Sequence, residues 1–285
     1  MNNFNHSTEN PQNQGLQDHT GTIVLCGAGK MGGALLEGWL RAGLSPQRVA
    51  VIEPDPAPPI AALGARGVRL NPDATAIGEA AAIVIAVKPQ IAAAALPALA
   101  PAIGTTTVVI SIMAGRTLQF LADTLPQARA LVRAMPNTPA AIGRGITVAV
   151  PHQVSDAQRD LANRLLIASG TVEWIADETL MDAVTAVSGS GPAYVFLLAE
   201  ALAQAGVAAG LPAPLAEKLA RETVAGAGEL LHRSALPAAT LRENVTSPGG
   251  TTAAALDVLM RADGLPPLLK EAIAAATQRS RKLAG

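Results

Sequence analysis

Short, wholly apolar runs alternate with helical segments through the first part of the chain. Runs without polar alternation are typical of parallel strands whose two faces are both covered by helices. The segments between them show helical periodicity, as at 34–42 and 156–169, or contain Gly and Pro turns. We therefore predict an α/β fold with a Rossmann-type, doubly wound parallel sheet over residues 21–178. The predicted strands are 22–26, 49–52, 68–70, 83–87, 107–111, 130–133, 146–150 and 171–175.

Beyond Glu178 the strand-like runs stop, and the pattern predicts an all-helical domain over residues 179–285. Several of its helices are apolar on more than one face, notably around 194–199, so roughly a hundred helical residues need a partner surface. This predicts a homodimer or a larger homo-oligomer formed through the C-terminal helices. The alternative is that the helices bury one another within a single chain. The predicted helices are 180–187, 193–209, 214–234, 237–244, 251–261 and 267–283.

The first twenty residues are rich in Asn and Gln and lack the basic start and apolar middle of a signal peptide. We interpret residues 1–20 as a disordered tail and expect a cytoplasmic protein. The alanine-rich stretch 91–103 is interrupted by Pro97 and Pro101 and falls short of the about 20 residues that a membrane span needs. We therefore expect no membrane partner.

Composition narrows the function further. Lys and Arg total 21 and Asp and Glu total 22, so the formal charge of −1 argues against nucleic acid as a partner. Aromatic residues are only 2% of the chain, which disfavours stacking of bases or sugars on rings. Cys26 is the one cysteine, and the four histidines have no ligand-like spacing, so neither a disulfide nor a metal site is expected.

A glycine-rich loop follows the first predicted strand and precedes a helix. Gly27, Gly29 and Gly32 match the G-x-G-x-x-G pattern in the context that gives it meaning. Such glycines let the backbone turn sharply and approach a pyrophosphate at the positive end of the helix. The loop predicts dinucleotide binding, whereas a loop that serves only helix packing is the alternative.

Glu53 ends the second predicted strand, where a carboxylate usually accepts the ribose hydroxyls of NAD and repels a 2′-phosphate. This favours NADH. Arg48 or Arg66 could instead turn toward a 2′-phosphate, and Glu53 could simply cap a solvated loop beside Pro54. The choice between NADH and NADPH stays open at this point.

Four further segments recur in one enzyme family. They read Ala-Val-Lys-Pro at 86–89, Arg-Ala-Met-Pro-Asn-Thr-Pro at 133–139, Ser-Gly-Ser-Gly-Pro-Ala-Tyr at 188–194 and LRENVTSPGGTTAAAL at 241–256. With the glycine loop, in this order, they resemble pyrroline-5-carboxylate reductase over about residues 22–280. The resemblance implies a reductase that transfers hydride from NAD(P)H to the cyclic imine 1-pyrroline-5-carboxylate and forms L-proline, the last step of proline biosynthesis. It favours NADPH.

The resemblance also implies the site. Thr252 matches the position whose hydroxyl meets the imine nitrogen, so it is the predicted catalytic residue, and Glu178 would favour a cationic ring nitrogen or else be a solvated carboxylate. The substrate residues implied are Glu178, Asn244, Ser247, Gly249, Gly250, Thr251 and Thr252. The cofactor residues expected are Cys26, Gly27, Ala28, Gly29, Lys30, Met31, Glu53, Ala86, Val87, Lys88, Pro89, Ile112, Met113, Ala114 and Asn137.

Residues 247–252 also suit a carboxylate on physical grounds. Gly249 and Gly250 leave backbone N–H groups unobstructed at a helix N-terminus, while Pro248 has no N–H and only shapes the turn. An ordinary helix start capped by Ser247 or Thr251 would explain the same pattern.

Several cofactor-side residues allow a second interpretation. Lys88 could be a solvated loop lysine, and Asn137 could orient Lys88 or the cofactor or only form an Asx-turn before Pro139. The run Ile112, Met113 and Ala114 is bulkier than the small residues usual in the family.

Two other functions compete. A β-hydroxyacid dehydrogenase shares the glycine start and helical second half, but it would carry a lysine in the helix after 188–191, and 193–209 has none. A sensor that binds NAD(P)(H) without turnover would have a damaged substrate loop, and 247–252 is intact.

Overall fold

The computed structural model describes residues 15–284, with side chains to Leu283. The described residues divide into two compact units: 15–189 with 279–284, and 190–278. Each unit is described by itself below. The division falls after Gly189 because Met181, just beyond Glu178, is buried against Val148 and Val150 of the sheet. The domain boundary expected after Glu178 stays a prediction.

The first unit contains one eight-stranded sheet with the order β3-β2-β1-β4-β5-β6-β7-β8. Strands 23–26, 82–85 and 108–111 are buried along their whole length and are apolar except for Ser111, as the sequence predicted for strands covered on both faces. The strands are β1 Ile23–Cys26, β2 Val49–Ile52, β3 Arg69–Leu70, β4 Ala82–Ile85, β5 Val108–Ser111, β6 Ala130–Met135, β7 Gly145–His152 and β8 Gly170–Trp174.

Helices cover this sheet on both faces. One buried cluster gathers Leu35 and Trp39 with Leu165, and the other gathers Leu96, Leu99 and Leu121. Short 3-10 turns connect several of the helices. The helices are α1 Lys30–Arg41, α2 Pro58–Ala62, α3 Ala74–Ile77, α4 Ala92–Ala95, α5 Leu118–Thr124, α6 Asp156–Ile167 and α7 Met181–Val184. The doubly wound fold is confirmed.

One strand departs from the predicted all-parallel arrangement. β7 runs antiparallel to β6, with Leu131 opposite His152 and Met135 opposite Val148, and β8 then pairs parallel to β7. Residues 136–144 form only a short 3-10 connection, too short for the crossover that a parallel neighbour requires. The chain therefore reverses at this point.

Both tryptophans of the chain lie in the first unit. Trp39 is fully buried, and its indole Nε1 donates to the carbonyl of Leu165 at 2.8 Å. Trp174 donates to Asn163 Oδ1 at 3.0 Å, and the guanidinium of Arg159 lies 4.9 Å from its ring centre.

The expected disordered tail is wrong for the part that the structure describes. Leu16 is only 2% exposed and belongs to the sheet's hydrophobic core, and Arg164 Nη1 donates to the carbonyl of Gly15 at 2.6 Å. His19 is half-buried. Burial lowers its pKa, and the charges of Arg164 and Arg48 lower it further. The rest of the predicted tail, residues 1–14, lies outside the described residues.

The second unit is helical, as predicted. Its helices expose much apolar surface within a single chain: Phe196 is 69% and Leu197 63% exposed. Helices α8 and α11 bury no residue there. The helices are α8 Gly191–Ala208, α9 Ala213–Arg233, α10 Ala238–Asn244, α11 Thr251–Leu259 and α12 Leu265–Ala284, the last of which ends in the first unit.

One continuous helical stretch, Glu178–Ala208, is long and apolar enough to cross a membrane by length and composition, since an 18-residue window within it has a mean hydropathy of 1.3. The sequence predicted two shorter helices in this part of the chain, 180–187 and 193–209, which the structure joins. One such helix is weak evidence for a membrane, because other apolar helices pass the same test. Exposed apolar surface of this extent is typical of a face that binds a partner.

Candidate active site

The carboxyl ends of five parallel strands meet at one edge of the sheet. β1 has β2 on one side and β4 on the other, in parallel register, and β4, β5 and β6 follow in the same direction. The strand order therefore reverses beside β1, where open α/β sheets bind ligands. The expected cofactor segments 26–31, 53, 86–89, 112–114 and 137 lie at or just after the carboxyl ends of these strands.

The three glycines of the loop after β1 have three different surroundings. Gly27 has a φ of 93°, and a Cβ there would lie 2.7 Å from the backbone of Ala86. A Cβ on Gly32 would overlap the carbonyl oxygen of Gly27. A Cβ on Gly29 would meet nothing within 4 Å. Gly27 and Gly32 thus pack the loop against the sheet, and Gly29 faces open space.

Helix α1 begins at this loop without a side-chain cap. Gly29 is its N-cap, in extended conformation, and no side chain makes a capping hydrogen bond there. The first N–H groups of a helix have no intrahelical partner, and they carry the positive end of the helix dipole. Open space at Gly29 and an uncapped helix start together fit the pyrophosphate of a dinucleotide.

Glu53 lies against the glycine loop rather than in free solvent. Its Oε2 accepts a hydrogen bond from the N–H of Ala28 at 2.9 Å. Asn71 fixes its backbone: Glu53 N–H donates to Asn71 Oδ1 at 2.8 Å, and Asn71 Nδ2 donates to the Glu53 carbonyl at 2.9 Å. Asn71 was not among the predicted site residues. Its signal was an Asn directly after β3, a residue type that tolerates its positive φ of 48°.

The two arginines considered for a 2′-phosphate lie at the other end of these strands. Arg48 immediately precedes β2, whereas Glu53 follows it, and four residues of strand span about 13 Å. Arg66 precedes β3 beside Gly67, and a Cβ on Gly67 would lie 2.8 Å from the Gln47 side chain next to Arg48. That expectation for Arg48 and Arg66 is therefore wrong.

Cys26 lies beneath the loop as a neutral thiol. Burial raises its pKa to about 11, and the nearby charge of Glu53 raises it as well. The Ala86 N–H donates to the carbonyl of Cys26 at 2.7 Å, so Cys26 joins the glycine loop to the segment after β4. It contributes backbone geometry and no nucleophile.

The loop after β5 holds its bulky residues inward. Ile112 and Met113 are buried in the two core clusters, and only Ala114 is exposed at the edge. The core thus accommodates the bulk that distinguishes this run. Lys88, on the neighbouring loop, is exposed.

Asn137 ties the turn after β6 to the next strand. Its Oδ1 accepts from the N–H of Ile146 at 3.0 Å. The amide oxygen therefore stabilises the short connection to β7 instead of closing an Asx-turn before Pro139.

The predicted substrate loop lies in the second unit, before α11. Gly249 has a φ of 68° with open space where a Cβ would lie, and the Gly250 N–H donates to the carbonyl of Ser247 at 3.0 Å. Gly250 is the N-cap of α11 and no side chain caps the helix, so the expectation of a start capped by Ser247 or Thr251 is wrong. The first N–H groups of α11 are free to bind an anion.

Thr252 lies in the first turn of α11 and is partly exposed. Within residues 15–284 its hydroxyl has no hydrogen-bond partner, while Asn244, Ser247 and Thr251 are exposed near it in sequence. The structure places Glu178 in the first unit and these residues in the second.

Comparisons with known proteins show the family to which this chain belongs. Residues 178–283 match the family model for pyrroline-5-carboxylate reductase dimerisation, and residues 22–115 match the model described as NADP oxidoreductase coenzyme F420-dependent. The pyrroline-5-carboxylate reductase of Pseudomonas aeruginosa is 39% identical over 267 residues, covering 93% of this chain and 97% of that protein. The chain belongs to the pyrroline-5-carboxylate reductase family. It is an oxidoreductase.

Other members of the pyrroline-5-carboxylate reductase family are similar in sequence and in structure. The enzyme of a Synechocystis species is 44% identical over 218 residues, covering 76% of this chain and 80% of that protein. The Coxiella burnetii enzyme gives a TM-score of 0.86 at 33% identity, covering 94% of this chain and 100% of the other. The Plasmodium falciparum enzyme, solved with NADP bound, gives 0.79 at 28% identity, covering 95% and 100%.

A hydroxyacid dehydrogenase shares only the fold with this pyrroline-5-carboxylate reductase family member. A 3-hydroxyisobutyrate dehydrogenase from Salmonella typhimurium gives a TM-score of 0.51 at 19% identity, covering 93% of this chain and 96% of the other. The β-hydroxyacid dehydrogenase alternative is thus not favoured, and NAD(P)H is the cofactor class of the family.

Glu178 is already paired in this reductase. Its Oε1 accepts from Arg133 Nη1 at 2.8 Å and from the N–H of Leu118 at 2.9 Å. The Arg133 side chain is 6% and the Glu178 side chain 27% exposed. Neither of the two roles weighed for Glu178 included this pairing. The sequence showed both residues, but 45 positions separate them, so their contact carried no local signal.

Proposed function

We propose that this chain reduces 1-pyrroline-5-carboxylate to L-proline with NAD(P)H, using α1 and α11 as its two anion-binding helix starts. The observation that carries the proposal is that both helices follow a glycine loop and both begin without a side-chain cap. The start of α1 suits the dinucleotide pyrophosphate, and the start of α11 suits the substrate carboxylate. Family membership supplies the reaction.

The first unit would hold the cofactor along the carboxyl edge of its strands. The glycine loop would bind the pyrophosphate, Glu53 the adenosine ribose, and residues 86–89 with 112–114 the ribose and nicotinamide side. When bound, the nicotinamide supplies the hydride. Asn137 and Cys26 support this edge of the sheet by accepting hydrogen bonds. The Asn137 side chain accepts from the Ile146 N–H, and the Cys26 carbonyl accepts from the Ala86 N–H.

The start of α11 would bind the carboxylate of the imino acid through the backbone N–H groups of Thr251 and Thr252, since the Gly250 N–H already donates to the Ser247 carbonyl. Asn244 and Ser247 would lie beside it. The Thr252 hydroxyl would hydrogen-bond to the ring nitrogen. It would donate to a neutral imine, whose nitrogen takes a proton from solvent as the ring carbon takes hydride, and would accept from an iminium that already carries that proton. A threonine hydroxyl is a weak acid, but an imine nitrogen is basic enough to arrive partly protonated. Positioning thus supplies most of the catalysis.

Glu53 favours NADH over NADPH on physical grounds, because its carboxylate lies at the loop and the two arginines considered as phosphate partners lie at the far strand ends. Family membership favours NADPH. We propose that the chain accepts both cofactors, and that the ratio of their kcat/KM values measures the effect of Glu53.

We also propose a homodimer as the minimal unit. The dimerisation model covers 178–283, and the apolar side chains exposed on α8 need a partner of matching chemistry, which a second copy supplies. Light scattering should give twice the chain mass or more; a folded monomer at dilute concentration would contradict this. A cytoplasmic location stays a prediction.

The test follows nicotinamide absorbance while the purified protein meets 1-pyrroline-5-carboxylate, with NADH and NADPH in parallel. Thr252→Val removes the hydroxyl at nearly constant shape and should lower kcat by about 10²-fold with cofactor affinity unchanged. Thr277→Val is the matched control, because that hydroxyl bonds only its own helix at the Ile273 carbonyl. Equal turnover in Thr252→Val would remove Thr252 from the mechanism. If the wild type binds NADH or NADPH but does not oxidise it in the presence of 1-pyrroline-5-carboxylate, the alternative of a non-catalytic NAD(P)(H) sensor would be supported.

A further inference from the structure

Arg116 joins the two loops that leave β4 and β5 at the cofactor edge. The strands are neighbours, with Ile85 opposite Ser111, so their loops emerge side by side. Arg116 reaches from the second loop to the first, where its Nε and Nη2 donate to the carbonyl of Pro89 at 3.2 and 2.9 Å. We propose that Arg116 is a positioning residue that holds residues 86–89 in place for the cofactor.

The Pro89 carbonyl is a point where this loop needs an outside donor. Proline has no N–H, so its carbonyl is its one backbone group for hydrogen bonding. The internal bond from the Ile91 N–H to the Lys88 carbonyl, at 3.1 Å, closes the turn that contains Pro89 but gives no donor to the Pro89 carbonyl. The two bonds from Arg116 therefore satisfy the carbonyl that the loop's own backbone leaves without a donor.

The base from which Arg116 extends is itself anchored. Leu118 N–H donates to Glu178, and the Thr117 hydroxyl caps α5 by accepting from the Phe120 N–H at 3.1 Å. Gly115, with a φ of 71°, lets the end of α12 approach, since a Cβ there would come within 3.2 Å of the Leu283 carbonyl oxygen. The loop after β5 is thus held on several sides, so Arg116 can position the loop after β4.

The guanidinium is oriented as well as tethered. It lies 4.6 Å from the ring centre of Phe120, so stacking holds the plane from which both donors reach one carbonyl. Among the described residues no carboxylate lies within ion-pair distance of it. Its role is therefore the bond to Pro89, not a salt bridge.

This inference rests on the proposed function, which gives residues 86–89 to the ribose and nicotinamide side of NAD(P)H. The experiment compares wild type, Arg116→Met, Arg116→Lys and Arg159→Met. Met removes charge and donors at similar length, and Lys keeps the charge but loses the two-donor fork. Arg159→Met is the matched control, because it removes the same kind of stacking, on Trp174, elsewhere in the first unit.

We expect Arg116→Met to raise the NADPH dissociation constant roughly tenfold, about 1.4 kcal/mol, with the KM for 1-pyrroline-5-carboxylate changed less than twofold. Arg116→Lys should regain only part of this loss, at low and at high salt alike. Arg159→Met should bind NADPH like the wild type. A merely structural role would lower thermal stability in both Met variants without this selective loss of cofactor affinity.

Two results would overturn the inference. One is an unchanged NADPH dissociation constant in Arg116→Met. The other is full recovery of NADPH affinity in Arg116→Lys at low salt, with the difference in affinity between the Lys and Met variants lost at high salt. The charge alone would then account for the effect of Arg116. Either leaves the proposed function intact. A wild type that binds neither NADPH nor NADH would overturn the proposed function and this inference together.

Discussion

The glycine loop gives a prediction that separates a binding role from a packing role within one helix start. In Gly29→Ala the new Cβ enters open space in an extended conformation that alanine adopts. The folded protein should lose only the difference between Gly and Ala at an N-cap, about 0.5–1 kcal/mol. For a unit of this size that lowers Tm by about 2 °C. Bound pyrophosphate, however, would meet the new methyl group.

The expected loss of binding is larger than the loss of stability. A backbone N–H bonded to a charged group contributes about 1.5–3 kcal/mol, so displacing the pyrophosphate from one such group should weaken cofactor binding about 30-fold. For Gly32→Ala we expect the reverse, a loss of stability that is larger than the loss of cofactor binding. Its Cβ overlaps the Gly27 carbonyl, and overpacking of this kind costs about 1–3 kcal/mol, against about 1 kcal/mol gained in helix propensity.

Gly33→Ala is the control on the same helix. A Cβ there makes ordinary contacts, at 3.6 Å from Ile60 Cδ1 and 3.7 Å from the Ala28 carbonyl oxygen. It should gain about 0.5–1 kcal/mol and bind cofactor normally. The assay is NADPH fluorescence titration beside thermal unfolding of each variant. Wild-type affinity in Gly29→Ala would refute the reasoning that its open space is the pyrophosphate site.

Two further predictions concern the ion pair and the half-buried histidine. A double-mutant cycle with Arg133→Met and Glu178→Gln, measured by urea unfolding, should give a coupling free energy of about 1–2 kcal/mol. This is less than for a fully buried pair, because Glu178 is partly exposed. A coupling of zero would show that solvent screens the pair. His19 has a folded pKa below its unfolded value, so the unfolded chain binds its proton first and stability falls as pH drops below the ordinary histidine pKa of 6.5. Urea unfolding at pH 7.5 and 5.5 should therefore show a smaller loss in His19→Gln than in the wild type, and equal losses would contradict the assignment.

Much of the first unit was predictable because its signals are local. The apolar runs at β1, β4 and β5 are long enough to show burial on both faces, and the glycine loop carries its own spacing. The direction of β7 was not predictable in this way, because an apolar strand has the same pattern in both directions. Helices as short as α3 and α4 span little more than one turn, so no periodicity marks them.

The candidate site residues also differ in whether their sequence signal is local. The helix starts at Gly29 and Gly250 were predictable from the sequence, because glycine turns mark them. Residues that act through a distant contact were missed or misjudged, since Arg116 meets Pro89 across 27 positions and Glu178 meets Arg133 across 45. A lone Leu16 in a polar segment likewise gives no hydrophobic pattern, although it packs in the core.

The placement of both tryptophans has a spectroscopic consequence. Light absorbed in the tryptophan band reports on Trp39 and Trp174, hence on the first unit, while the second unit has Tyr194 but no indole. Loss of structure confined to the helical unit would change far-ultraviolet circular dichroism and leave indole emission nearly constant. Recording both signals during one denaturation therefore tells which unit unfolds first, without any label.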